Sequence, residues 1–87
     1  MEILYSPQFA REYRKFSEEI KRKAEKQEKI FRDNPFDARL KTHKLEGRLS
    51  EFWAFSIDFH HRVIFRFQED DKVRFYAIGD HSLYRKL

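Results

Sequence analysis

Three runs of alternating apolar and polar positions occupy the last 36 residues, Phe52 to Leu87. Trp53, Phe55 and Ile57 alternate with Ala54, Ser56 and Asp58. Val63, Phe65 and Phe67 alternate with Ile64 and Arg66, and Val73, Phe75 and Ala77 with Arg74, Tyr76 and Ile78. Successive side chains of a strand point to opposite faces, so each run offers one continuous apolar row. The intervening stretches, Asp58-Phe59-His60-His61 and Gln68-Glu69-Asp70-Asp71, are short enough for antiparallel hairpins. The pattern predicts a three-stranded meander with one dry face. Its other face, where Arg66 and Arg74 fall, is free to carry polar chemistry.

The pattern before residue 35 is different. Glu2 to Tyr5 is a brief apolar run ended by Ser6-Pro7, which suits a strand passing into a helix with Ser6 as cap and Pro7 at the first helical position. Phe9, Tyr13 and Phe16 then recur at helical spacing. Ser17-Glu18-Glu19 reads as a second cap, and Ile20, Ala24, Gln27, Ile30 and Phe31 form a weaker stripe up to Asn34-Pro35. The second helix carries Glu18 with Arg22, Glu19 with Lys23, Glu25 with Lys29 and Glu28 with Arg32. All are spaced four apart with glutamate first, each contributing roughly 0.2–0.5 kcal/mol. That face reads as solvated, with Lys15, Lys21 and Lys26 outside the pairs. The predicted fold is α+β and a single domain over residues 1–87: an N-terminal strand, a helical hairpin on one face of the sheet, then the meander.

Between them, Pro35 to Glu51 has no sustained period. Here positive charge is least neutralised: Arg39, Lys41, Lys44, Arg48 and His43 face only Asp37 and Glu46. Over the whole chain 19 Lys and Arg against 15 Asp and Glu give a net charge of +4, which favours polyanionic partners. The chain has no cysteine, so disulfides and thiolate metal sites are excluded. Neither a signal-peptide pattern nor a membrane-length apolar run is present, and the expected location is the cytoplasm.

Candidate chemistry narrows quickly. The two glycines form no phosphate-binding loop, no serine sits on a nucleophile elbow, and His43, His60, His61 and His81 lack the spacing of a metal site. No cofactor is implied. What remains is His43, Arg62, His81 and Tyr84. Antiparallel neighbours exchange ends, so Arg62 at the start of the second meander strand and His81 after the third fall at one end of the sheet. Cleaving RNA through its 2′-hydroxyl requires a base, a cation for the phosphoryl oxygens and an acid for the departing 5′-oxygen. His43 suits the base, Arg62 the phosphate clamp, and His81 or Tyr84 the acid.

The stretches KTHKLEGRLSEFWAFSI and HHRVIFRFQEDDKVRFYAIGDHSLYRK resemble the RelE/ParE superfamily of toxins, in particular its YafQ- and YoeB-like mRNA interferases. The elements that carry the resemblance are H-x-L-x-G at His43 to Gly47, W-x-x-x-I at Trp53 to Ile57, HRVIF at His61 to Phe65, and G-x-H-x-x-Y at Gly79 to Tyr84. The resemblance implies a toxin that enters the ribosome and cuts mRNA, held in check by a cognate antitoxin, expected to be acidic and partly helical. By position, His43 matches a catalytic His or Glu, Arg62 a phosphate-binding arginine, His81 a C-terminal catalytic histidine and Tyr84 a C-terminal aromatic. Arg39, Lys41, Lys44, Arg48 and Arg66 would contact RNA. Members that share the scaffold inhibit DNA gyrase instead, and a decayed RNA- or protein-binding module is a further alternative.

Overall fold

A computed structural model describes residues 1–85 and 87; Lys86, the last residue of the C-terminal motif stretch, lies outside the described residues. The first strand, β1, spans Glu2–Tyr5, followed by helix α1 at Pro7–Arg14 and helix α2 at Glu18–Asp33. Both helices start as the sequence predicts. The Ser6 hydroxyl accepts from the N–H of Phe9 at 3.0 Å and the Ser17 hydroxyl from that of Ile20 at 3.3 Å, each satisfying an N–H that has no partner within the helix. Asn34 caps α2 in an extended conformation just before Pro35. No helix among the described residues is long and apolar enough to cross a membrane.

The meander is strands β3 (Trp53–Ser56), β4 (Arg62–Gln68) and β5 (Lys72–Gly79). A short strand, β2, at His43–Lys44 within the connector extends it, so the sheet has five strands in the order β1-β5-β4-β3-β2. β1 lies parallel to β5 and the other neighbours are antiparallel. Both helices cover one face. Phe31, fully buried on α2, stacks on Phe55 at 4.9 Å and meets Phe65 and Phe75 edge-on at 5.0 and 5.5 Å. Phe9, Ala24 and Ile30 complete the helical side of this core.

The third apolar row departs from the expected one. Phe65 pairs with Phe75 but Ile64 pairs with Ala77, so Tyr76 is an extra residue in β5. The bulge reverses the alternation: Ile78, not Ala77, joins Val73 and Phe75 against the helices, while Ala77 turns to the opposite face. Past Tyr5 no strand among the described residues flanks β5 on that side, and side chains take over its backbone groups. The Ser6 hydroxyl donates to the Tyr76 carbonyl at 2.8 Å, and the Glu12 carboxylate accepts from the N–H of Ile78 at 3.0 Å.

The charged helix follows its predicted pairing in part. Glu19–Lys23 and Glu28–Arg32 close at 3.7 and 3.1 Å, whereas Glu18 meets Lys21 at 3.8 Å rather than Arg22. Glu25 accepts from the Tyr13 hydroxyl.

Candidate active site on the open sheet face

Opposite the helices, Ala54, Ile64, Ala77 and Leu83 form a second apolar cluster, with Leu45, Phe52, Tyr84 and Leu87 packed around it. The face expected to be open is therefore partly roofed by a short 3₁₀ helix at His81–Arg85. Asp80 starts that helix: its carboxylate accepts from the N–H of Ser82 at 2.8 Å, and its carbonyl from that of Leu83 at 3.0 Å. The hydrogen bond from Ser82 holds the Asp80 carboxyl below the usual carboxylate range.

Arg62 pairs across the sheet with Ser56 on one side and Gly79 on the other. Paired residues share a face, and Arg62 and Ile64 are two apart, so Arg62 stands on the open face. Its backbone lies roughly 5 Å from that of Gly79, two residues before His81. The half-buried Arg62 takes part in no ion pair among the described residues, so its guanidinium is available to an anion. His81 is exposed at the head of the 3₁₀ helix.

His43 reaches the same face from the sheet edge. It pairs with Ala54, Ala54 with Ile64, and Ile64 with Ala77, forming one row across four strands. Two strand spacings and two residues separate His43 from Arg62, a Cα distance of about 12 Å. His43 and Arg62 thus share the open face without touching. His43 Nδ1 lies 3.0 Å from the Lys41 carbonyl oxygen. A carbonyl only accepts, so Nδ1 carries the proton in this contact, and in the neutral ring the lone pair is then on Nε2. Tyr84 is half-buried against the apolar cluster.

The predicted RNA-contact residues divide. Arg66 stands on the open face beyond Ile64, and Lys41, with φ of 53°, is exposed next to His43. Lys44 pairs with Trp53, whose ring packs against the helix-side core, so the register turns Lys44 to the other face from His43. Arg39 forms a two-point contact with Asp37 at 3.0 and 2.9 Å; these bonds hold the Asp37 carboxyl down to about 2. Arg48 donates to the main-chain oxygens of Tyr84 at 2.6 Å and Leu87 at 3.0 Å. It is a strut that ties the C-terminal segment to the connector, a role the sequence reading missed because the contacts span 36 and 39 positions.

The β3–β4 turn flanks Arg62. Burial would raise the Asp58 carboxyl, but bonds from the His61 ring and from the N–H groups of His60 and His61 outweigh it and hold it at about 2. Asp58 also lies 3.5 Å from Lys23, so this carboxylate and His61 serve the turn. Among the described residues, no three His, Cys, Asp or Glu side chains gather closely enough to hold a metal ion. A cavity of about 370 Å³ lies on the other side of the sheet, between α1 and α2, lined by Tyr5, Phe9, Tyr13, Phe55, Phe75 and Ile78 among others. At its edge, burial and the bond to Glu28 push the Tyr5 phenol up to about 12.

No protein-family model matches the sequence, and no curated protein matches it. Solved structures do. A YoeB/ParE toxin from Agrobacterium tumefaciens superposes with a TM-score of 0.79 at 16% identity, covering 93% of this chain and 99% of that one. YafQ from E. coli gives 0.78 at 21% identity, covering 95% and 96%. A heterotetrameric YoeB-YefM toxin-antitoxin complex from Staphylococcus aureus gives 0.77 at 21%, covering 93% and 97%. At these identities the likeness is one of fold: helices on one face of a mixed sheet, as in the YoeB and YafQ toxins.

Proposed function

We propose that this chain is the toxin of a toxin-antitoxin pair and a ribosome-dependent endoribonuclease that cuts mRNA in the cytoplasm. The observation that carries the reading is the β4–β5 register, which sets Arg62 beside Gly79, two residues from His81, on the face that also holds His43. The side chains suffice for the chemistry. His43 Nε2 takes the proton of a 2′-hydroxyl, whose oxygen attacks the adjacent phosphorus. The Arg62 guanidinium holds two phosphoryl oxygens as charge gathers on them, and His81 protonates the departing 5′-oxygen, leaving a 2′,3′-cyclic phosphate. Tyr84, at the edge of the roofing helix, positions the neighbouring base or shares the acid's role. The partner is an acidic, partly helical antitoxin, a reading supported by the toxin-antitoxin assembly of the same fold.

Mapping mRNA ends in a translating extract tests this. Wild type is expected to produce new 5′ ends within translated regions, and His43→Ala, Arg62→Met and His81→Ala each to slow cleavage roughly 10²-fold or more. Transcripts left intact by wild type under active translation overturn the nuclease reading. Gyrase supercoiling measured in parallel detects the non-catalytic alternative.

A further inference from the structure

At the other end of β4 from Arg62, Arg66 stands directly opposite Arg74 in β5. Like charges directly opposite each other disfavour strand pairing. Arg66 has Glu51 at 3.7 Å, and among the described residues Arg74 takes part in no ion pair. Each guanidinium instead lies over an aromatic ring, Arg66 5.8 Å from Phe52 and Arg74 5.9 Å from Tyr76. The two rings meet edge to face at 5.3 Å, and all four side chains are half-buried. Tyr76 is the bulge residue of β5; alternation from Phe75 sets its ring on the open face, and the parity changes only after it.

We infer that Phe52, Arg66, Arg74 and Tyr76 form a second RNA-contact subsite, in which the paired guanidinium groups hold a phosphate and the rings take an adjacent unpaired base. Two arginines fixed side by side over rings present flat forks suited to phosphate oxygens, and aromatic rings accept any base by stacking. An acidic peptide would satisfy the charges but leave the rings without a matching planar group. Arg62 and Arg66 are four residues apart on one strand, about 13 Å, and the 3₁₀ helix crosses the face between them, so the two ends engage different phosphates. The inference rests on the reading of the open face as the one that meets RNA.

The test is fluorescence anisotropy with a labelled 2′-O-methyl RNA dodecamer, which lacks the free hydroxyl needed for cleavage, titrated at several salt concentrations. Arg66→Gln and Arg74→Gln are each expected to weaken binding roughly 5-fold at 0.1 M salt and to lower the salt slope by about 0.7. Tyr76→Leu is expected to weaken it roughly 5-fold or more with the slope unchanged. Lys26→Gln on α2 removes the same charge and is expected to change neither quantity. Arg74→Gln should melt no lower than wild type, because it relieves a like-charge contact. Variants at Arg66 and Arg74 that bind within 2-fold of Lys26→Gln overturn the subsite, as does preference for a poly-glutamate peptide over the dodecamer. Cleavage of mRNA by wild type with unaltered dodecamer binding by both arginine variants removes the subsite and leaves the nuclease. Weakened binding by the variants with intact transcripts under wild type supports the subsite and removes the nuclease.

Discussion

Replacing Gly79 by alanine tests whether the 3₁₀ helix bearing His81 and Tyr84 is seated by close packing on the sheet. A Cβ at position 79 would lie 3.0 Å from Leu83 Cδ2, 3.3 Å from Cγ and 3.7 Å from Cδ1, where carbon atoms prefer about 3.5–4.0 Å. Leu83 is 2% exposed and wedged among Ala54, Ile64 and Ala77, so it can yield only by lifting the helix. Overpacking of this kind destabilises by about 1–3 kcal/mol. The lower end applies because the helix lies at the surface, and the smaller conformational freedom of alanine in the unfolded chain offsets roughly 0.5 kcal/mol. A net loss of about 0.5–1 kcal/mol lowers Tm by roughly 2–8 °C in a domain of this size. On the proposed nuclease reading, cleavage should fall further than stability, by about 10-fold or more, since small displacement of a proposed catalytic group such as His81 is costly to rate. Leu83→Ala alone opens a void, which the methyl of Gly79→Ala partly refills in the double variant; a coupling of about 1 kcal/mol is expected. Thermal denaturation and end mapping read the two effects. A Gly79→Ala variant with wild-type Tm and cleavage, or a strictly additive double variant, refutes the packing argument.

Arg48→Gln removes two charge-assisted hydrogen bonds from the C-terminal segment, a loss of about 1–2 kcal/mol at this exposed position. Hydrogen exchange at Leu83 should accelerate while α2 stays protected, and unchanged exchange at Leu83 would dismiss the strut. Asp58 is held near 2 in the folded chain, below its ordinary value of about 3.9. Its contribution is therefore complete above about pH 4 and disappears as the pH falls towards 2. After allowance for solvent screening it amounts to about 1 kcal/mol. Asp58→Asn should flatten the acid limb of a Tm-against-pH curve, and parallel curves would contradict the assignment. Phe31→Ala removes a fully buried ring in contact with three others and should destabilise by about 3–5 kcal/mol, seen as a large drop in the urea midpoint. A drop under 1 kcal/mol would move the core elsewhere.

Much of this architecture is legible from local chemistry. Ser6-Pro7 and Ser17-Glu18-Glu19 mark the helix starts because capping depends on residues three positions apart, within reach of any short window. The meeting of Arg62 with the end of β5 at Gly79 is legible because it needs only strand direction. β2 is not: two residues, His43 and Lys44, cannot display a period, and their faces are decided by pairing with Ala54 and Trp53. That pairing sets His43 on the open face and turns Lys44 from it. Arg48 reads as one more cation in a basic stretch, and only the folded chain brings the main-chain oxygens of Tyr84 and Leu87 to it.

The bulge in β5 is the sharpest case. Strict alternation from Phe75 would put Ala77 and Gly79 beneath the helices and Ile78 on the open face. Both Ala77 and Ile78 are apolar, so hydropathy cannot choose between the two parities. The extra residue at Tyr76 makes the choice, and its consequences reach the candidate site: Ala77 and Gly79 become a small-residue floor on which Leu83 seats the helix bearing His81. A bulge leaves backbone groups in need of partners, and these come from Ser6, 70 positions away from Tyr76, and Glu12, 66 positions away from Ile78. The parity of β5, and with it the seating of His81, is thus stabilised from the cap and second turn of α1. A window drawn around the strand contains the alternation but neither of the side chains that complete its bulge.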